Sequence, residues 1–189
     1  MKNTKLLCSL LLLSCITLCS QIDSKKVKSQ ISVEKNIFGI QTGLFGAWIY
    51  NETKITNQLA LRSELGMDLS LFGGTFYPKT GVIFYPTVTA EPRFYYNLNR
   101  RNKLGKKTEY NSGNFFSLKT TYGSDVFAIS NYDVVINNHI RVIPKYGLRR
   151  SFGKNFEMEF SAGIGYAYDF DRKLSDAILD LGFRIGYRF

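Results

Sequence analysis

One feature limits what this chain can fold into more than any other: a two-residue period carried through long segments, strictest in the last thirteen residues, AILDLGFRIGYRF. Ala177, Leu179, Leu181, Phe183, Ile185, Tyr187 and Phe189 are apolar or aromatic, and Asp180, Gly182, Arg184, Gly186 and Arg188 between them are charged or glycine. Such a period places successive side chains on opposite faces of an extended strand. The pattern returns in NFEMEFSAGIGYAYDF, where Phe156, Met158, Phe160, Ile164, Tyr166 and Tyr168 alternate with Glu157, Glu159, Gly163, Gly165 and Asp169. HIRVIPKYGLRRSF, QLALRSELGMDLSLF and GVIFYPTVTAEPRFYYNL repeat it, and 37–50 and 114–129 follow it less tidily.

Seven segments read as strands: 36–50, 58–71, 81–98, 114–129, 138–152, 155–169 and 177–189. They are long against the usual mode of about 5 to 6 residues. A soluble β-sandwich would bury the apolar faces against each other, but gives no reason for a charged, glycine-spotted face on nearly every strand. A membrane barrel does: the apolar face meets lipid, and the charged face lines a closed lumen in which small residues make room. Aromatic residues make up 15 % of the chain. Trp48, Tyr50, Phe94, Tyr96, Tyr166, Tyr168 and Tyr187 fall near strand ends, where membrane-interface aromatics belong.

The first twenty residues read as an address. Lys2 and Lys5 precede LLCSLLLLSCITLC, and cleavage near Ser20 would leave Gln21 first, the pattern of a signal peptide. A retained anchor, or a lipoprotein modified at Cys15, are the alternatives. Cys8, Cys15 and Cys19 all lie in this segment, so a cleaved chain has no disulfide and no thiolate chemistry. The expected organisation is a signal peptide at 1–20, an N-terminal segment at 21–35 holding a candidate first strand, and one barrel domain at 36–189. The net charge of +10 is compatible with anionic partners. Export and the lack of a basic-aromatic platform argue against nucleic acid.

The expected lumen is nearly neutral. Arg62, Arg93, Lys119, Arg141, Lys145, Arg149, Arg184 and Arg188 face inward against Glu64, Asp68, Glu91, Asp125, Glu157, Glu159, Asp169 and Asp180. Buried charges persist only when paired and hydrogen-bonded. An eight-stranded barrel has an interior just wide enough for side chains, so a network of ion pairs and water is expected, not a wide pore.

From 36 to 189 the chain resembles the small bacterial outer-membrane β-barrels of the OmpA/OmpX type, and most of all the barrel-domain proteins of Bacteroidota. The resemblance rests on the export signal, the alternating strands and the terminal YRF. It implies an all-β, antiparallel, up-and-down transmembrane barrel of eight strands in the cell outer membrane. It also implies a monomer among outer-membrane lipid and lipopolysaccharide, with Tyr187 and Phe189 as the signal read by the barrel-assembly machinery.

An even strand count, with both ends periplasmic, calls for an eighth strand. KVKSQISV, alternating Val27, Ser29, Ile31 and Val33, is the candidate. The links SFGKN, NETKITNQ and NRRNKLGKKTEYNS then share the periplasmic side, and FGGTFYPKTG, SNYDVVINN and DFDRKLSDA are short outer loops. The basic third link (Arg100, Arg101, Lys103, Lys106, Lys107) reads as a solvated turn or a contact for anionic headgroups or a periplasmic partner.

No cofactor and no metal site are expected. His139 is the sole histidine, and a lipid-modifying enzyme would need it to meet Ser124, Asp125, Ser130 or Asp133 as base and nucleophile. The favoured reading is a non-catalytic barrel with a plugged, charge-balanced lumen and a structural or surface-interaction role. A narrow porin for small solutes and a barrel enzyme using His139 are the alternatives.

Overall fold

A computed structural model describes residues 31–74, 79–133 and 136–189. The signal-peptide reading, the cleavage site, Val27 and Ser29 lie outside them. Among the described residues nine strands form one antiparallel sheet: β1 Asn36–Gly43, β2 Gly46–Lys54, β3 Leu59–Phe72, β4 Gly81–Tyr95, β5 Asn114–Gly123, β6 Ile129–Ser130, β7 His139–Phe152, β8 Phe156–Asp169 and β9 Leu174–Arg188. Eight of them close a ring in the order β1-β2-β3-β4-β5-β7-β8-β9, with β9 returning to β1. The two-residue β6 adds to the edge of β4 at Ile83 and Phe84.

The ring is uneven. Its closing seam runs only from Gly39–Arg188 to Gly43–Arg184, whereas β3–β4 and β8–β9 pair along almost their whole lengths. The turns 55–58 and 153–155 and the link 96–113 share one end with Asn36 and Arg188, called here the floor. The tip Leu44–Phe45, the ends of β3 and β5 at Phe72 and Gly123, and the turn 170–173 belong to the far side.

The eighth strand does not come from KVKSQISV. Ile31–Lys35 carries no strand, and the segment expected as one strand at 36–50 is a hairpin turning at Leu44–Phe45. Gly43 pairs with Gly46, so odd positions face inward in β1 and even positions in β2. That change of parity is why the segment alternates untidily, and Leu-Phe carries none of the Asn-Gly or Asp-Gly chemistry that marks a two-residue turn. Because the extra turn precedes residue 50, the later links keep their expected ends.

Polarity is inverted relative to an oil-filled core. Arg62, Arg93, Arg149 and Arg188 are among the largest fully buried side chains, while Ile40, Leu65, Val88, Leu118, Phe160, Ile164, Leu179 and Ile185 stand exposed on the outside. Inward glycines lie directly across from large inward side chains: Gly39 from Tyr50, Gly66 from Trp48, Gly147 from Phe115 and Gly163 from Lys145. A Cβ at Gly163 would stand 2.7 Å from Lys145 Cγ, and one at Gly39 would stand 2.9 Å from the Tyr50 hydroxyl. The glycines give up side-chain packing so that long side chains can cross the lumen.

Candidate functional site: the charged interior

The interior has two halves. On the floor side, Glu52, Glu64, Glu91, Glu157 and Glu159 meet Arg62, Arg93, Arg149, Arg184 and Arg188, all buried. Arg149 joins two carboxylates, with Nη1 2.9 Å from Glu52 and Nε 2.9 Å from Glu157, and its Nη2 donates to the Tyr50 hydroxyl at 2.6 Å. The Tyr50 hydroxyl in turn donates a hydrogen bond to Glu157 at 2.7 Å. Arg93 grips Glu159 with two bonds of 2.8 and 2.9 Å and reaches Glu91 at 2.7 Å. This fork-on-carboxylate geometry is the one in which arginine binds most strongly. Arg62 donates to Glu64 at 2.5 Å and to Gln41 at 2.6 Å, and its guanidinium lies 3.7 Å from the Tyr50 ring centre. Arg184 bonds Glu64 at 2.8 Å over the Trp48 ring, and Arg188 meets Glu157 at 3.2 Å.

The link expected to be a solvated turn closes this half. It holds helix α1, Leu98–Lys103, and a 3-10 turn at Glu109–Asn111. Leu98 packs with Val33, Ala60, Tyr95 and Phe115 in a small apolar cluster. Asn111 turns inward and donates to Glu52 at 2.6 Å while accepting from the Glu34 backbone at 2.8 Å. Tyr110 and Asn111 both have φ near +55° (54° and 58°), a conformation Asn tolerates better than most residues. The lysines and Arg100 remain exposed, so only the apolar and amide part of the link forms the floor.

Towards the far side the packing loosens. Asp68 accepts from Trp48 Nε1 at 2.8 Å and Thr87 at 3.1 Å and pairs with Arg141. Asp180 faces Lys119 at 3.2 Å and Lys145 at 3.7 Å. A cavity of about 450 Å³ opens beside these groups.

Fourteen of the expected lumen charges thus lie inside. Asp125 and Asp169 do not: Asp125 is exposed outside any strand, and Asp169 ends β8, where it binds Asn137 at 2.7 Å and the backbone of Asp171 and Arg172. Glu52, absent from the sequence-based inventory, is fully buried at the centre of the network. It was hidden because 51–58 read as a link, whereas β2 runs on to Lys54. The interior count is therefore eight cations to seven carboxylates.

The aromatic assignments divide the same way. Phe94, Tyr96, Tyr166, Tyr168 and Tyr187 stand exposed on the outer face, but Trp48 and Tyr50 point inward and are buried, a correction that follows from the parity change at the hairpin. Phe189 packs against Phe38 and Tyr187, with ring centres 5.6 and 5.4 Å apart. His139 lies edge-on to Tyr85, with Nδ1 2.9 Å from the Asn137 carbonyl. Ser124 and Ser130 bond backbone amides two residues on, and no bond joins His139 to Ser124, Asp125, Ser130 or Asp133 among the described residues.

Comparison with known proteins finds no family model, no curated protein and no solved structure that matches the chain. The reading of function therefore stands on this geometry.

Proposed function

We propose that the chain is an integral outer-membrane β-barrel with a plugged, charge-lined lumen and a structural or surface-interaction role rather than a catalytic one. One observation carries it: the interior is ionic and the exterior apolar around the whole ring. Isolated exposed apolar residues are ordinary, but a continuous apolar belt marks a surface made for lipid or a partner. Between the floor and the Leu44–Phe45 tip the ring is closed, so backbone groups there are satisfied between strands, which lipid demands. The buried ion pairs of the floor half, among them Arg149 with Glu52 and Glu157 and Arg93 with Glu159, favour a plug over a porin.

Membrane fractionation followed by comparison of boiled and unboiled protein on detergent gels tests the proposal. Recovery in the outer membrane with a heat-dependent shift in migration is the expected result. Recovery in a soluble fraction without a shift would replace it with a soluble β fold.

A further inference from the structure

Beyond the Leu44–Phe45 tip the described residues leave the wall open. β2 follows β3 only as far as the pair Gly46–Asp68, and β1 follows β9 only to Gly43–Arg184. From Leu174 to Phe183, β9 is paired with β8 alone among the described residues. At the level of the tip β1 and β2 hold β9 and β3 three strand spacings apart, roughly 14 Å along the wall, and above it no described strand fills that interval, which is wide enough at its base for a hydrocarbon chain. The strands of this hairpin, 8 residues in β1 and 9 in β2, stand at the lower limit of the roughly 9 to 11 that a spanning strand needs. On the membrane reading the tip, with its exposed Leu and Phe, then lies at the rim of the hydrocarbon, and the slot above it opens beside one leaflet.

Two cavities meet at this slot. The inner one, about 450 Å³, is lined by Lys119, Lys145, Arg141, Arg184, Asp68 and Asp180. The outer one, about 550 Å³, is an apolar groove between Leu44, Phe45, Tyr146, Phe160, Leu181 and Phe183. Gly182 borders both, and its cross-strand partner is Ser161, so no large side chain fills the wall there. The inner charges are unequally matched. Arg141 has Asp68 and Arg184 has Glu64, but Lys119 and Lys145 share Asp180. The Lys145 side chain is 2 % exposed, and its ammonium makes no hydrogen bond among the described residues.

We propose that the slot binds a long-chain fatty acid, with its carboxylate between Lys145 and Lys119 and its chain leaving past Gly182 along Leu181, Phe183 and Phe160. One unmatched cation calls for a monoanion. A phosphate monoester carries about −1.5 to −2 at neutral pH, and a diacyl lipid would bring a second chain to a groove beside a single slot. The geometry is independent of the outer-membrane reading, but the supply of ligand from a leaflet rests on it.

Trp48 is the chain's one tryptophan and lines the inner cavity, so its fluorescence reports occupancy. The folded protein in neutral maltoside micelles is titrated with a dibrominated stearate, the matching brominated alcohol, and dodecyl phosphate as competitor. Saturable quenching by the acid at concentrations about tenfold below the alcohol is expected, the size of one charge-assisted contact. Lys145→Met should remove most of that advantage, and Asp180→Asn, which frees both lysines, should tighten binding severalfold.

Equal quenching by acid and alcohol, no quenching, or an unaltered Lys145→Met variant overturns the proposal. Displacement by dodecyl phosphate at lower concentration than stearate overturns the carboxylate assignment. Should Lys145→Met fail to give the heat-shifted band, Asp180→Asn decides: binding unchanged or weakened refutes the site. Acid-selective quenching by a protein recovered in the soluble fraction would sink the membrane reading and keep the slot, and the converse pair of results would do the reverse.

Discussion

Arg149→Met is the most informative single change. Methionine keeps much of the length and fills irregular space, but it removes the bonds to Glu52, Glu157 and Tyr50. The floor half falls from five guanidiniums against five carboxylates to four against five. Removing one partner of a buried pair costs about 3 to 5 kcal/mol. The lower part of that range applies, because Glu157 keeps Arg188 at 3.2 Å and Glu52 keeps Tyr95 at 2.9 Å and Asn111 at 2.6 Å. With a urea slope of about 2 kcal/mol per molar, a loss of about 3 kcal/mol moves the unfolding midpoint down by roughly 1.5 M. The assay is urea titration in lipid vesicles, followed by Trp48 emission and by the heat-shifted gel band. Adding Glu52→Gln to the variant restores equal numbers of charges and should recover on the order of 1 to 2 kcal/mol as a coupling energy. A loss below about 1 kcal/mol, the worth of a solvent-exposed pair, would refute the reasoning: the guanidinium would then be hydrated and the lumen wet enough to be a narrow porin.

Ile164, 68 % exposed on the outer face of β8, gives a second handle. Ile164→Arg should cost about 2 to 4 kcal/mol in vesicles if it faces the middle of the bilayer, measured by the same titration, and almost nothing if the face meets water. Gly147→Val drives a side chain into the Phe115 ring, whose Cε2 lies 2.7 Å from where a Cβ would stand; about 1 to 3 kcal/mol should be lost and partly regained with Phe115→Ala. Asn111→Ala removes a donor from Glu52 and leaves a residue less suited to φ 58°, so about 2 kcal/mol should go. In planar bilayers the unaltered protein should show no steady conductance, and a stable open level would refute the plug.

The lumen charges on β3, β4, β7, β8 and β9 were legible because a period of two over long segments leaves little choice of face, and all of those strands have it. Trp48 and Tyr50 were misplaced together and for one reason: both follow the Leu44–Phe45 turn, and a turn without glycine, asparagine or aspartate at its centre looks like uninterrupted strand. Glu52 was missed because 51–58 read as a link, although β2 runs on to Lys54. The floor escaped for a different reason. Leu98 and Asn111 sit in a stretch dominated by arginine and lysine, and composition averages over the two side chains that do the packing. Asp125 and Asp169 fit the alternation but lie where the strands have ended or are ending, beyond the reach of the lumen. Pairing of specific charges was not legible at all, because it depends on register across the ring, which connects Arg149 with Glu52 and Arg93 with Glu159.

The two halves of the interior differ in how their charges are matched: the floor half leaves single atoms of Arg62, Glu64, Arg93 and Arg188 unbonded but sets five guanidiniums against five carboxylates. In the floor half, guanidinium forks, tyrosine hydroxyls and an inward asparagine bond the carboxylates, and the link beneath adds an apolar cluster. Any solute crossing there must separate ion pairs that have no water-like substitute nearby. In the far half, one carboxylate serves two ammoniums, the wall lacks two strands, and an apolar groove begins where the polar cavity ends. A through-path would need to cross the floor network, whereas the two cavities described above lie in the far half and on its flank. On the reading proposed above, entry from the flank against a floor held by ion pairs is the arrangement of a site that holds something rather than of a channel that passes it.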